Sequence, residues 1–209
     1  MPSLEQLEAL VAERQRRLGD AHPETLTTML DLAEALWAEG RLLRARPLEE
    51  AVVAGRRALY GDAHPDTLKA IGKLATTLGQ QGDLTGARRL QEDVVAGMRA
   101  LYGAEGRDTL RAINNLAGTI AALGDVEAAG AQLNATIATL RRIFGEDDGD
   151  TLTARGNLAA LLWQSGEHDD AFALQEAVLA SFRRTRGADD PATRNAQAVL
   201  DGTLHEAFS

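Results

Sequence analysis

Apolar residues recur every three or four positions in this chain, beginning with TLTTMLDLAEALWAEG at residues 25–40. Leu26, Met29, Leu32 and Leu36 follow this spacing, which places them along one side of an α-helix. Gly40 comes at the end of the stripe and is a typical helix-ending residue. The pattern predicts an amphipathic helix that ends just before Gly40.

A second apolar stripe follows in RLLRARPLEEAVVAGRRALYG at residues 41–61. It includes Leu42, Ala45 and Val52, and Gly61 ends it. We expect Pro47 to lie in the first turn of this helix, where a missing backbone N–H costs least. Two consecutive amphipathic helices separated by a glycine-containing turn predict a helix hairpin.

These two stripes return with a period of 42 residues, which is typical of a repeat architecture. Gly19–Tyr60 and Gly61–Tyr102 are identical at 24 of 42 positions. We therefore expect an all-α chain of about ten helices, forming a single repeat array over residues 1–209. Its segments are an N-terminal half repeat at 3–18, full repeats at 19–60, 61–102, 103–144 and 145–186, and a C-terminal capping half repeat at 187–209.

The most similar part of the repeat is GDAHPETL at residues 19–26, which returns as GDAHPDTL at 61–68. A histidine near acidic residues could indicate a metal or acid–base site. However, Pro23 and Pro65 stand where a first helical residue is expected, and carboxylates follow in the first turn, near the positive end of the helix dipole. Later repeats replace the histidine by Gly106, Asp148 and Asp190. We interpret the octet as a helix start.

Composition and charge exclude several classes of protein. The chain has 44% apolar but only 4% aromatic residues and no cysteine, which disfavours strands, disulfides and thiolate sites. A net charge of -9 argues against a nucleic-acid partner, because phosphate binding needs a basic face. No apolar run approaches the roughly 18 residues of a membrane span, and the first residues lack the order of a secretory signal. We expect a cytoplasmic protein without membrane contact.

Catalytic motifs are also missing from the sequence. It contains no glycine-rich phosphate loop, no His-Glu-x-x-His and no Gly-x-Ser-x-Gly. The four histidines, His22, His64, His168 and His205, do not obviously converge. We expect no catalytic residue, no metal and no cofactor.

The pattern HPxTLxxxxxLAxxLxxxGxxxxA, at His22–Ala45 and His64–Ala87, resembles the 42-residue tetratricopeptide repeat of kinesin light chains. The resemblance covers essentially the whole chain. It implies a right-handed superhelical solenoid of antiparallel helix hairpins, in which the first helix of each hairpin lines a concave groove that binds extended peptides.

Ligand-binding residues are implied by the same resemblance. An asparagine before Leu-Ala contacts the ligand backbone in that family, which points to Asn115 and Asn157 here, whereas the first two repeats carry Asp31 and Lys73 instead. The alternative is that each asparagine only caps or bridges neighbouring helices. Helix geometry around this position adds Asn114 and Thr153 as neighbouring groove positions.

A local basic cluster occurs at the same groove positions. Lys69 and Lys73 share a helix face, and Arg111 follows in the next repeat. Cations in these positions hold a ligand carboxylate in many peptide-binding tetratricopeptide domains, which favours an acidic peptide or a free C-terminus as the ligand. The alternative is that all three are solvated or paired with acidic residues of neighbouring repeats.

Trp37 and Trp163 share one repeat position, three repeats apart, with Gly79 and Ala121 between them. They could flank a binding pocket or pack between helices. Taken together, the sequence predicts a non-enzymatic scaffold for a protein or peptide ligand. A self-assembly module that dimerises through its terminal helices is one alternative, and a small-molecule sensor or unconventional enzyme is another.

Overall fold

The computed structural model describes residues 2–207, with side chains described up to Gly202. Within this part of the chain there are ten α-helices and no strands, as the sequence predicts. The helices are α1 (Leu4–Leu18), α2 (Pro23–Ala38), α3 (Leu42–Tyr60), α4 (Pro65–Gln80), α5 (Leu84–Tyr102), α6 (Arg107–Ala122), α7 (Val126–Phe144), α8 (Gly149–Gln164), α9 (His168–Arg186) and α10 (Pro191–Ala207).

The helices divide between two compact units, Met1–Ala112 and Ile113–Ser209, with the boundary inside α6. In the first unit each helix from α1 to α5 packs against the next, and in the second unit α7 to α10 do the same. The pairs α2–α3, α4–α5 and α8–α9 are the hairpins that the apolar stripes predict.

The predicted stripes form the core of the first unit. Leu26, Met29, Leu32 and Leu36 of α2 are all buried, and Val52 of α3 is fully buried. Two cores occur in the second unit: Leu152, Val178 and Phe182 belong to one, Leu133 and Leu161 to the other. Burial of such side chains supplies most of the stability of amphipathic helices, because short helices are marginal in water on their own.

Each octet begins a helix. Nδ1 of His22 accepts a hydrogen bond of 3.2 Å from the backbone N–H of Glu24, and His64 does the same for Asp66. The imidazole thus satisfies one of the backbone donors that a helix start leaves unpaired. Asp148 has this role in the fourth repeat, where it accepts from the N–H of Asp150 at 3.0 Å. The helix-start interpretation is confirmed.

The third repeat lacks this cap, because Gly106 has no side chain to accept the hydrogen bond. A side chain at Gly106 would place its Cβ 2.6 Å from the backbone oxygen and from the Cβ of Tyr102. In this loop conformation, a histidine or an aspartate at position 106 would require Tyr102 or the loop backbone to shift.

Glycine ends the helices at the predicted places. In the described residues every positive φ belongs to a glycine, and all nine of these glycines lie at the two repeat positions that the sequence singles out. Gly61, for example, has φ of 84° and donates its N–H to the carbonyl of Arg57 at 2.9 Å. This backbone region is costly for residues with a Cβ, which explains the period of the glycines.

The expected position of Pro47 is wrong. Because α3 begins at Leu42, Pro47 is the sixth residue of the helix and lies beyond its first turn. The residue four positions earlier, Leu43, is 86% exposed. Its carbonyl group lacks the usual helical donor and lies in a solvated stretch of helix, where water can replace that donor.

The two half repeats each contain one helix. α1 begins with a reciprocal capping box between Ser3 and Gln6. Arg14 anchors α1 on α2 by donating to the carbonyl of Glu24 at 3.0 Å. A membrane-crossing helix is not found in the described part of the chain, because its helices are too short or too polar.

Candidate functional site

A cavity of about 320 Å³ lies among α2, α3 and α4 in the first unit. We call it the Trp37 cavity. Its wall is formed by Glu34, Trp37, Glu49, Lys73 and Thr76. It combines an aromatic ring with three charged groups, a lining that suits a charged, partly apolar ligand group better than a purely apolar one.

Lys73 already has a carboxylate partner in this cavity. Its Nζ lies 2.7 Å from Oε1 of Glu34, which comes from the preceding hairpin. Both side chains are partly exposed, so the ion pair is accessible and weak enough to exchange partners. Lys73 is therefore paired with an acidic residue of a neighbouring repeat, which was the alternative to a free cation.

Glu49 is the buried group of the Trp37 cavity, with only 3% of the residue exposed. Its Oε1 accepts a hydrogen bond of 3.0 Å from the hydroxyl of Thr77, while its Oε2 has no donor among the described residues. Burial raises the pKa of the Glu49 carboxyl, and the Thr77 hydrogen bond and the positive charge of Lys73 oppose this effect. The cavity wall thus contains a buried carboxylate with one oxygen that lacks a hydrogen-bond donor among the described residues.

The second unit has a cavity of about 280 Å³ among α8, α9 and α10. We call it the Trp163 cavity. Ala160, Trp163, Gln175, Val199 and Gly202 are among its lining residues, none of which is charged. The indole of Trp163 stacks on His168, with ring centroids 4.2 Å apart.

Both cavities occupy the same position in the repeat. Each of the five residues that line the Trp37 cavity has a counterpart in the Trp163 cavity after a shift of three repeats, and the pairs are Glu34 and Ala160, Trp37 and Trp163, Glu49 and Gln175, Lys73 and Val199, and Thr76 and Gly202. One backbone arrangement is therefore lined with charges in the first unit and with neutral groups in the second.

The two tryptophans are neither core residues nor fully exposed. Trp37 is 42% exposed and Trp163 is half-buried, and each forms part of a cavity wall. The arrangement agrees with the pocket alternative, although each ring also packs partly against its own unit.

The remaining basic residues differ in their partners. Lys69 is exposed and makes no ion pair or hydrogen bond with the described residues. Arg111 is exposed as well, and its guanidinium lies 3.5 Å from a carboxylate oxygen of Asp108, one turn earlier. Of the predicted cluster in the first unit, Lys69 is the cation most available to a ligand.

The predicted asparagines also fall into two kinds. Asn115 on α6 is exposed, and Asn157 on α8 is half-buried; neither side chain forms a hydrogen bond with the described residues. Asn114 is buried, with 5% exposed, and its Oδ1 has no partner there. Thr153 is exposed and donates to the carbonyl of Gly149 at 2.8 Å. The amides of Asn115 and Asn157 thus do not cap or bridge helices.

Glu49 was missed at the level of sequence, because it belongs to a second helix and not to the predicted groove. A signal was nevertheless present. The equivalent positions in the later repeats are Gln91, Leu133 and Gln175, so that a carboxylate replaces neutral residues at a buried position.

The fold is that of a helical-repeat protein, with one open cavity described in each unit. Models of the tetratricopeptide repeat match residues 32–100, 108–184 and 150–205. The chain belongs to the tetratricopeptide repeat family. This fold indicates a scaffold for protein–protein interaction.

Several solved structures are similar to this chain. A protein of Podosopora anserina that is named for kinesin light chain, with nearly identical TPR-like repeats, is 28% identical over 88% of this chain and 87% of that one, with a TM-score of 0.70. BtubC (BKLC) from P. vanneervenii is 22% identical over 100% of this chain and 85% of that one, with a TM-score of 0.72.

A Rap protein complexed with competence and sporulation factor is 12% identical over 96% of this chain and 58% of that one, with a TM-score of 0.68. Together these likenesses confirm the all-α tetratricopeptide fold and the resemblance to kinesin light chain repeats. No match was found among curated proteins.

Proposed function

We propose that this protein is a non-enzymatic, cytoplasmic scaffold that binds extended peptide segments of other proteins on the exposed faces of its first helices. In the second unit the side-chain amides of Asn115 and Asn157 would pair with the ligand backbone. An amide offers both a donor and an acceptor, so it can bind a peptide group whatever the ligand sequence.

The observation that carries this proposal is the unpaired state of these two amides. Asn115 is exposed and Asn157 is half-buried, and neither side chain forms a hydrogen bond with the described residues. Both stand at the repeat position that contacts the ligand in the resembled family. Their side-chain donors and acceptors therefore support a role in binding a peptide backbone.

For the ligand we propose an acidic segment or a free C-terminus, held in the first unit by Lys69. Charge-assisted hydrogen bonds between an ammonium and a carboxylate are stronger than neutral ones. Lys73 can add to this contact only by exchanging Glu34 for the ligand carboxylate, since its Nζ lies 2.7 Å from Oε1 of Glu34. Arg111 could contribute in the same way by leaving Asp108.

Capture of partners from a lysate, followed by anisotropy measurements on synthetic peptides from the captured protein, tests the proposal. We expect Asn115→Ala to weaken peptide binding about threefold to tenfold and Lys69→Ala about tenfold. The matched controls are Asn134→Ala on α7 and Arg89→Ala on α5, which remove an exposed amide and an exposed cation from second helices.

Equal binding by all four variants would contradict the proposal and direct attention to another surface. Dimers in light scattering that persist at high salt, together with unchanged capture by the variants, would instead favour the self-assembly alternative through α1 and α10.

A further inference from the structure

The Trp37 cavity contains one more negative charge than positive charge when Glu49 is ionised. Glu34 and Glu49 contribute carboxylates and Lys73 an ammonium, whereas Trp37 and Thr76 are neutral. Lys73 is bonded to Glu34, and no cation of the described residues forms an ion pair with Glu49. One carboxylate of the cavity is therefore left without a bonded counter-ion.

This carboxylate is also incompletely hydrogen-bonded. Thr77 donates a hydrogen bond to Oε1 of Glu49, whereas Oε2 has no donor among the described residues. Only 3% of Glu49 is exposed. A buried carboxylate oxygen without a donor destabilises a protein. The repeat does not need a charge here for packing, since Gln91 and Gln175 are buried at the equivalent position.

We propose that the Trp37 cavity binds a positively charged side chain of the peptide ligand, arginine in preference to lysine. Glu49 is the counter-ion that the guanidinium meets, and the Trp37 ring is the surface on which it stacks. Glu34 stays with Lys73. This inference rests on the proposed function for the existence of a peptide ligand, and it adds the chemistry of one ligand side chain.

Arginine fits this lining better than lysine for two reasons. A guanidinium is planar, stacks on aromatic rings and is less strongly hydrated than an ammonium, so it enters a half-closed cavity more readily. It also has five N–H donors, and a carboxylate with an unused oxygen can accept from several of them. A ligand with acidic residues for Lys69 and an arginine for this cavity would match both charges of the surface.

The Trp163 cavity provides an internal comparison. It has a tryptophan at the same repeat position, but Ala160, Gln175 and Val199 replace the three charged residues. It should therefore stack on planar groups without distinguishing charged from neutral ones.

NMR of the indole N–H groups of Trp37 and Trp163 tests the inference without any peptide partner. The probes are Nα-acetyl-arginine amide, its neutral isostere Nα-acetyl-citrulline amide, and Nα-acetyl-lysine amide; each is added to the isotope-labelled full chain. A Trp163→Phe variant assigns the two signals. We expect the Trp37 signal to report arginine binding about tenfold tighter than citrulline binding, with lysine between them.

Glu49→Gln should abolish the preference for arginine over citrulline at the Trp37 signal. The substitution preserves the side-chain shape and reproduces residues that the chain buries at Gln91 and Gln175. Glu34→Ala serves as a second variant, because it frees Lys73 to neutralise Glu49 and should remove the preference as well. Alanine already occurs at the repeat position equivalent to Glu34, which is Ala160 in the fourth repeat.

Three results would overturn the inference: equal affinity for arginine and citrulline compounds, an arginine preference that survives both substitutions, or the same preference at the Trp163 signal. None of these would affect the peptide capture by Asn115 and Lys69. Conversely, loss of peptide capture would leave the result for the small compounds intact, so the two proposals fail separately.

Discussion

The hydroxyl of Thr77 on α4 donates a hydrogen bond of 3.0 Å to Oε1 of Glu49 on α3, and both residues are buried. This contact joins two successive hairpins. It satisfies only half of a carboxylate whose other oxygen has no donor among the described residues. The free energy of unfolding should therefore depend on the charge of Glu49.

We expect Glu49→Gln to be more stable than the wild type at pH 7. Burial raises the pKa of Glu49 in the folded state above its ordinary value of 4.5, so the folded protein binds the proton more tightly than the unfolded chain. As the pH rises from 4.5 through the raised pKa, the unfolded state becomes more favourable relative to the folded state, so the wild type loses stability. Glutamine does not titrate, so the advantage of the variant should shrink as the pH falls through the raised pKa of Glu49 towards its ordinary value of 4.5.

Urea unfolding at neutral and acidic pH measures this difference. Glu50→Gln is the matched control, because Glu50 is exposed and pairs with Arg46, and its loss should cost less than about 1 kcal/mol. A Glu49→Gln variant that is less stable than wild type at pH 7 would show that Lys73 stabilises the buried charge by more than burial destabilises it.

Two glycines of one hairpin should respond oppositely to alanine. At Gly97 on α5 a Cβ would lie 2.6 and 2.7 Å from the methyl groups of Leu68, which is buried. Overpacking of about 1–3 kcal/mol exceeds the gain in helix propensity, so Gly97→Ala should lose about 1 kcal/mol of stability. At Gly72 on α4 nothing lies within 4 Å, and Gly72→Ala should gain about 1 kcal/mol.

Urea unfolding curves of the two variants, measured side by side, check this prediction. A shift of both midpoints in the same direction would contradict the difference in packing between Gly97 and Gly72.

The cap at the start of α4 should depend on an acceptor and not on the imidazole as such. His64→Ala removes the acceptor for the N–H of Asp66 and the ring that stacks on Tyr60 at 4.6 Å, and should cost about 1 kcal/mol. His64→Asp restores an acceptor of the kind that Asp148 provides in the fourth repeat. It should recover most of the loss in a thermal or urea unfolding experiment.

An aspartate variant no more stable than the alanine variant would indicate that the stacking on Tyr60, and not the hydrogen bond, stabilises this helix start.

The correspondence of the two cavities predicts that their chemistry can be transferred. Ala160→Glu, Gln175→Glu and Val199→Lys together place the charges of the Trp37 cavity around Trp163. We expect the Trp163 indole signal of this triple variant to acquire the arginine preference proposed for Trp37, about tenfold over citrulline.

The single variant Val199→Lys, which adds only the cation, should not acquire this preference. If it does, or if the triple variant shows none while its circular dichroism remains that of a folded helical protein, the equivalence of the two cavities in binding is wrong.

The helices could be predicted from sequence because their determinants are local. The spacing of apolar residues predicts the buried face of α2. Backbone geometry predicts the helix boundaries, because glycines such as Gly61 end helices and prolines such as Pro65 begin them. Pro47 was misplaced because a helix start without a capping side chain, as at Arg41, leaves little trace in the sequence.

The candidate site was only partly predictable, because its contacts join residues that are distant in sequence. The pairing of Lys73 with Glu34 and of Thr77 with Glu49 depends on how one hairpin packs on the next. A repeat protein nevertheless offers a usable signal: a charged residue such as Glu49, at a position where other repeats bury neutral residues, indicates a site and not a core position.

The glycines with positive φ have a consequence for the engineering of this chain. Glycines with positive φ flank the hairpin of α4 and α5: Gly61 ends the preceding helix α3, and Gly103 ends α5. The segments between hairpins thus share the same glycine geometry. A segment of one period could be excised, duplicated or replaced as a cassette at these glycines, which makes the number of binding surfaces an adjustable quantity.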